Sequence, residues 1–185
     1  MSKEKKFTTK QLVFSAMAIA LATVVVMVIK LPSLPNGGSV TLFSMLLVTL
    51  VGYWYGPVVG ITAATGFGII QFITGPYVVH PIQVIIDYPL AFGALGCSGF
   101  FKDQKNGLLR GYVAGVAGRF FFASVSGLIF YTVYVDAFQE NMVAIWASLV
   151  YNMTYILPEA IITIMLISIP AVKNALIQIK EMALH

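Results

Sequence analysis

Charged side chains are scarce in this sequence. Of its 185 residues, 10% are Asp, Glu, Lys or Arg and 59% are hydrophobic, where a soluble domain averages about 25% charged residues. The shortage excludes a soluble domain and points to one integral membrane unit. Cysteine is limited to Cys97, which excludes an intrachain disulfide and leaves the redox compartment open. Histidine is limited to His80 and His185, and no H-E-x-x-H occurs, so zinc chemistry is not expected. No G-x-x-x-x-G-K-[ST] phosphate loop is present, which removes P-loop ATP hydrolysis. No G-x-S-x-G elbow occurs either, and no serine has a histidine within plausible reach. An enzyme is disfavoured, and neither a cofactor nor a metal is expected. Binding, transport or a structural role remains.

What is present is apolar sequence in long runs. A bilayer core about 30 Å thick needs about 20 apolar residues per helix, so the chain has room for about six spans. An all-α integral membrane protein is expected, with helices at 11–30, 40–54, 57–74, 82–101, 108–134 and 142–171. A basic N-terminus (1–10) and a basic C-terminal tail (173–185) flank this membrane domain (11–172).

The net charge of +4 does not indicate nucleic acid once the charges are placed. Lys3, Lys5, Lys6 and Lys10 precede the first run, Lys102, Lys105 and Arg110 share one loop, and Lys173 and Lys180 lie near the end. By the positive-inside rule this predicts both termini in the cytoplasm. The opposite side carries Lys30, Asp136, Glu140 and the loops LPSLPNGGSV and TGPYVVHP. The apolar run Leu12–Ile29 is longer than a signal peptide's about 7–15 residues, and no small-residue cleavage site follows it, so the first span is retained.

Small residues recur four apart at Gly60/Ala64/Gly68, Gly93/Cys97 and Gly111/Gly115. In lipid such faces let helix backbones approach, and packing within the bundle is the expected use. The first helix differs. Its AMAIALA stretch presents both Ala16/Ala20 and Ala18/Ala22, and either face suits the bundle interior or a partner helix.

Several polar groups interrupt the spans: Asp87, Arg119, Glu159, Gln83 and Asn152. A carboxylate at a helix centre costs roughly 2.5–3.5 kcal/mol on insertion, and intramembrane charges pair or line a substrate path. Arg119 is expected to pair with Glu159 or Asp87, and Asn152 is open to a helix–helix hydrogen bond. Asp87 shares its outer level with Asn152 and tyrosines, a set that suits a flat, cationic or amine-bearing ligand.

These residues also carry a resemblance. NGGSV (36–40), HPIQVIIDYPLAF (80–92), GRFFFASVSGLIFY (118–131) and SLVYNMTYILPE (148–159) resemble the thiamine-specific substrate-binding component of energy-coupling-factor vitamin transporters, in order over nearly the whole chain. The resemblance implies six helices with both ends cytoplasmic and a vitamin site near the extracellular face of a bacterial cytoplasmic membrane. It implies as partners a transmembrane coupling protein and two cytoplasmic ATPases. It places the acidic–Tyr pair on Asp87 and Tyr88, the pyrimidine-contacting asparagine on Asn152, the glycine near the ligand on Gly127 and a stacking aromatic on Tyr131. It makes the first-helix alanines, Ala16 and Ala20 among them, the docking face. At two positions the sequence departs, with Ala123 for a histidine and Ala147 for a tyrosine, and Phe122 or Trp146 is the expected substitute. Gln83 completes the expected substrate-binding set.

Three classes of function remain distinct. One is a receptor for thiamine, a thiamine precursor or another aromatic amine, working with an ATPase module. A second is a proton-coupled secondary transporter using Asp87 or Glu159. The third is a structural subunit in which Asp87 is locked to Arg119.

Overall fold

Thr8 starts the first helix. Its hydroxyl accepts from the Gln11 N–H and the Gln11 side chain accepts from the Thr8 N–H, a reciprocal cap that satisfies two otherwise orphaned donors. The computed structural model describes residues 7–29, 39–78, 80–134 and 141–185, without side chains at 130–134, 141, 142 and 144. Lys3, Lys5, Lys6, Lys30, Asp136, Glu140 and most of the 31–40 loop therefore lie outside the described residues.

Among the described residues seven helices follow in order: α1 (Thr9–Val28), α2 (Ser44–Tyr55), α3 (Pro57–Thr74), α4 (Pro81–Phe101), α5 (Gly107–Tyr134), α6 (Asn141–Ser168) and α7 (Pro170–Leu184). Five of them are long and apolar enough to cross a membrane, and α2 is a shorter apolar helix. At 1.5 Å per residue, α2 rises only about 18 Å. Residues 55–57 reverse the chain between α2 and α3 at Gly56, whose φ of 93° is open to glycine at little cost.

Helix α4 is continuous but not uniform. Pro89 has no N–H to give the preceding turn, and the backbone widens to a π-turn over Ile86–Leu90 before tightening to 3₁₀ geometry over Ala94–Phe101. Its inner half packs tightly on α2 and α3. A Cβ built on Gly96 would lie 2.3 Å from the Gly60 carbonyl carbon and the Ile61 nitrogen, and one on Gly60 would lie 2.5 Å from the Gly52 Cα. The expected small-residue faces are used this way: Gly68 abuts the Tyr88 carbonyl, Gly93 abuts Thr65, Gly111 abuts Ser98 and Gly115 abuts Leu95. Gly96→Ala is expected to destabilise the purified protein by about 1–3 kcal/mol, the range for overpacking. Thermal unfolding in detergent checks this; an unchanged midpoint would contradict the close approach.

The sixth apolar helix ends at Ser168, three residues short of the expected boundary, because Pro170 keeps Ile169 extended (φ −70°, ψ 123°). The tail after it is itself a helix. α7 turns Val172, Leu176, Ile179 and Ala183 inward, spaced along one helical face. It is clamped to the bundle: Lys180 Nζ donates to the Lys102 carbonyl at 2.7 Å and lies 3.9 Å over the Tyr53 ring. Tyr55 donates to the Ala183 carbonyl at 3.0 Å, and Lys173 donates to Asn106 Oδ1 at 3.3 Å. Burial lowers the Lys180 pKa below the ordinary lysine value; Asp103 opposes that shift and Lys102 adds to it. Phe14, near the start of α1, meets Trp54, near the end of α2, edge-on at 6.0 Å. The start of α1, the 102–106 loop and α7 thus share one side of the bundle.

Candidate functional site

The polar positions of α4, α5 and α6 converge on the opposite side. On α4, Asp87 is half-buried in the π-turn and Gln83, one turn earlier, is buried. Both the Ser126 hydroxyl of α5 and the Gln83 amide approach the Asp87 carboxylate. Ser126 is 1% exposed and buried beside that carboxylate.

Asn152 on α6 lies against α5 at the same level. Its Nδ2 donates to the Ser148 carbonyl at 2.9 Å and to the Ala123 carbonyl at 3.3 Å, and its Oδ1 accepts from the Tyr155 hydroxyl. Both amide protons are therefore in use, and one lone pair of Oδ1 is left. Gly127 permits this contact, because a Cβ there would stand 2.3 Å from Ser148 Oγ and 3.6 Å from Asn152 Nδ2. The Ser148 hydroxyl adds a second tie between the helices, donating to the Ser124 carbonyl at 2.8 Å. The Tyr155 hydroxyl lies within electrostatic range of both Asp87 and Arg119. Asp87, Gln83, Ser126, Gly127, Asn152 and Tyr155 thus form one cluster.

The other expected residues are placed differently. Tyr88 turns to the α3–α4 loop: its hydroxyl accepts from the Tyr77 N–H at 2.9 Å and donates to the Gly75 carbonyl at 3.4 Å, and its ring meets Phe72 edge-on. Tyr131 lies in α5 one turn beyond Gly127, and its side chain is outside the described residues. Trp146 is not brought to the cluster. It is 64% exposed on the outer face of α6, lining a shallow apolar depression with Val143, Ala147 and Val150. Six residues from Asn152 put it about 120° away around the helix, while Ser148, four residues away, takes the inward position. Phe122 is half-buried against Phe121.

The ion pair expected for Arg119 does not form; among the described residues the one ion pair joins Lys102 and Asp103 at 3.9 Å. Arg119 instead lies 4.3 Å over the Phe92 ring, a cation–π contact. Glu159 is taken up by Thr41, Ser44 and Met45. Sequence reading missed Ser126, Ser148 and Tyr155. Ser148 and Tyr155 lie four and three residues from Asn152, and that i±3/i±4 spacing was the available signal.

The family model described as thiamine transporter protein matches residues 12–179. The chain belongs to this family. A relative of this transporter, the thiamine transporter ThiT of Bacillus subtilis, is 30% identical over 141 residues, covering 70% of this chain and 73% of that protein. The solved structure of ThiT from Listeria monocytogenes is similar in fold, with a TM-score of 0.56 and 24% identity, over 88% of this chain and 94% of that one. These relatives are transporters and not enzymes. The transporter is a multi-pass helical membrane protein, and its five long apolar helices agree with that.

Proposed function

We propose that this chain is the thiamine-capturing membrane subunit of an energy-coupling-factor uptake transporter, with the α4–α5–α6 cluster as its site. One observation carries the reading. The cluster gathers acceptors, namely the Asp87 carboxylate, approached by the Gln83 amide and the Ser126 hydroxyl, and the remaining Asn152 Oδ1 lone pair. A site of this kind selects a ligand that brings donors and positive charge. The aminopyrimidine and thiazolium of thiamine supply both. Asp87 takes the charge-assisted contact, Asn152 accepts from the exocyclic amine, and Gly127 keeps α5 and α6 close enough to align them. Tyr131 stacks on the ligand and Tyr88 holds the α3–α4 loop beside it.

The family relationship supports thiamine as the ligand, and the arrangement of the ends supports the topology. The start of α1, the basic 102–106 loop and α7 lie together, as a six-span protein with both termini in the cytoplasm requires. The membrane is then the bacterial cytoplasmic membrane, and the cluster opens to the outside. Energy comes from partners, a transmembrane coupling protein and two cytoplasmic ATPases. The docking face is supported by burial: Ala18 and Ala22 are inside the bundle, while Ala16 and Ala20 are exposed on α1.

A second ligand reading follows from Ala123 and Ala147. Ala123 contributes its carbonyl to Asn152 but no ring or ring nitrogen, a change that favours a smaller thiamine precursor. Calorimetric titration of the detergent-purified chain separates the two. The expected result is saturable 1:1 binding of thiamine, tighter than binding of its pyrimidine or thiazole half alone. A half that binds more tightly than thiamine would assign the precursor, and no heat from any of the three would overturn the site.

A further inference from the structure

Glu159 plays no part in the ligand cluster, yet it is 2% exposed in the middle of a membrane-embedded helix. It lies seven residues beyond Asn152 on α6, about 20° from the same helical face. Its carboxylate accepts from Thr41 Oγ1 at 2.8 Å, from Ser44 Oγ at 3.0 Å and from the Met45 N–H at 2.9 Å. The two hydroxyls are themselves 2.9 Å apart. All three donors belong to the turn entering α2, where Phe43 adopts a left-handed φ of 65°, a conformation disfavoured for a residue with a Cβ. That turn brings both hydroxyls and a first-turn N–H onto one carboxylate. α2 has no capping side chain of its own, so Glu159 caps it from another helix and places negative charge at its N-terminus.

The link has a further end. α2 packs on α1 through the Phe14–Trp54 contact and the buried Ala18 and Ala22, and α1 presents Ala16 and Ala20 on its outer face. We propose that Glu159 is a positioning residue that ties the ligand-bearing face of α6 to the first turn of α2, so that occupancy at Asn152 alters the packing of α2 on α1. With no water in the bilayer core to replace these bonds, α6 and the start of α2 move together or lose all three. The inference rests on the α4–α5–α6 cluster being the thiamine site.

The sequence supplies its own reporter. There are two tryptophans, and Trp54 is buried at the α1–α2 contact, far from the cluster. In a Trp146→Phe background, where the exposed indole is replaced by a phenyl ring and Trp54 is left to report, saturating thiamine is expected to change Trp54 emission. With Glu159→Ala the change is lost, while calorimetry still records thiamine binding, weakened about tenfold; Glu159→Gln keeps one acceptor and restores part of the emission change, with binding weakened about threefold. Where Glu159→Ala cannot be recovered folded, Thr41→Val with Ser44→Ala removes the two hydroxyl bonds, leaves the Met45 N–H, and is expected to diminish the emission change. Thiamine heat without any Trp54 response in the parent, or a response that survives removal of the bonds, overturns the role given to Glu159. Absence of thiamine heat in the parent overturns the ligand reading first, and this one with it.

Discussion

Asp87→Asn is expected to weaken thiamine binding by about 2–5 kcal/mol, the cost of truncating one partner of a buried charge pair, or about 30-fold to several thousand-fold in Kd. The substitution keeps the shape and removes the charge. The half-buried π-turn position and the neighbouring Gln83 and Ser126 still accept an amide, so thermal stability without ligand should hold. Loss of affinity with retained stability is the signature of a ligand carboxylate. Loss of stability with little change in affinity would instead assign Asp87 to the bundle's own packing. A neutral analogue lacking the exocyclic amine sharpens the test. It should bind the parent weakly, and Asp87→Asn should cost it far less than it costs thiamine, because the two changes remove the same contact.

Trp at both Ala16 and Ala20 is expected to abolish thiamine uptake by cells while leaving binding intact. Both alanines are exposed, and the flanking Ser15, Ala18 and Ala22 are the buried members of α1. Small residues allow a partner's backbone to approach a lipid-facing helix, and an indole at each position prevents it. Because the rings would point away from the bundle, the isolated chain should fold normally and keep its thiamine Kd within about twofold, as for surface substitutions generally. Uptake at the parental rate would remove this face from docking. The double substitution also separates the receptor from a proton-coupled transporter, which needs no partner and would keep transporting.

The apolar helices were legible because lipid imposes one rule on every span, and their starts came within a few residues. α1 begins at Thr9 because Thr8 and Gln11 form a cap, a signal present in the sequence. The last span ends three residues before the expected boundary because Pro170 stops the helix while the apolar run continues past it. The site divides in a similar way. Asp87, Gln83, Gly127 and Asn152 stand out as polar or small residues within apolar helices. Trp146 has the chemistry of a stacking residue, but its helical phase places it on the outer surface. The capping by Glu159 was not legible. Its partners Thr41 and Ser44 are 118 and 115 residues away, and the obvious opposite charge, Arg119, rests on Phe92 instead. Local pattern shows which groups need a partner; it does not choose between a distant cation and a distant helix end.

The π-turn at Ile86–Leu90 can be described as an ordinary helix carrying one inserted residue. Each residue of an α-helix advances about 100°, so everything after the insertion is rotated by that amount relative to an unbroken helix. α4 therefore has two faces that are out of phase, an outer one that aims Asp87 and an inner one that seats Gly96 on Gly60. A straight helix would have to satisfy both with one periodicity. The inserted residue lets the chain satisfy ligand geometry and tight interhelical contact independently, so either half can diverge without re-registering the other.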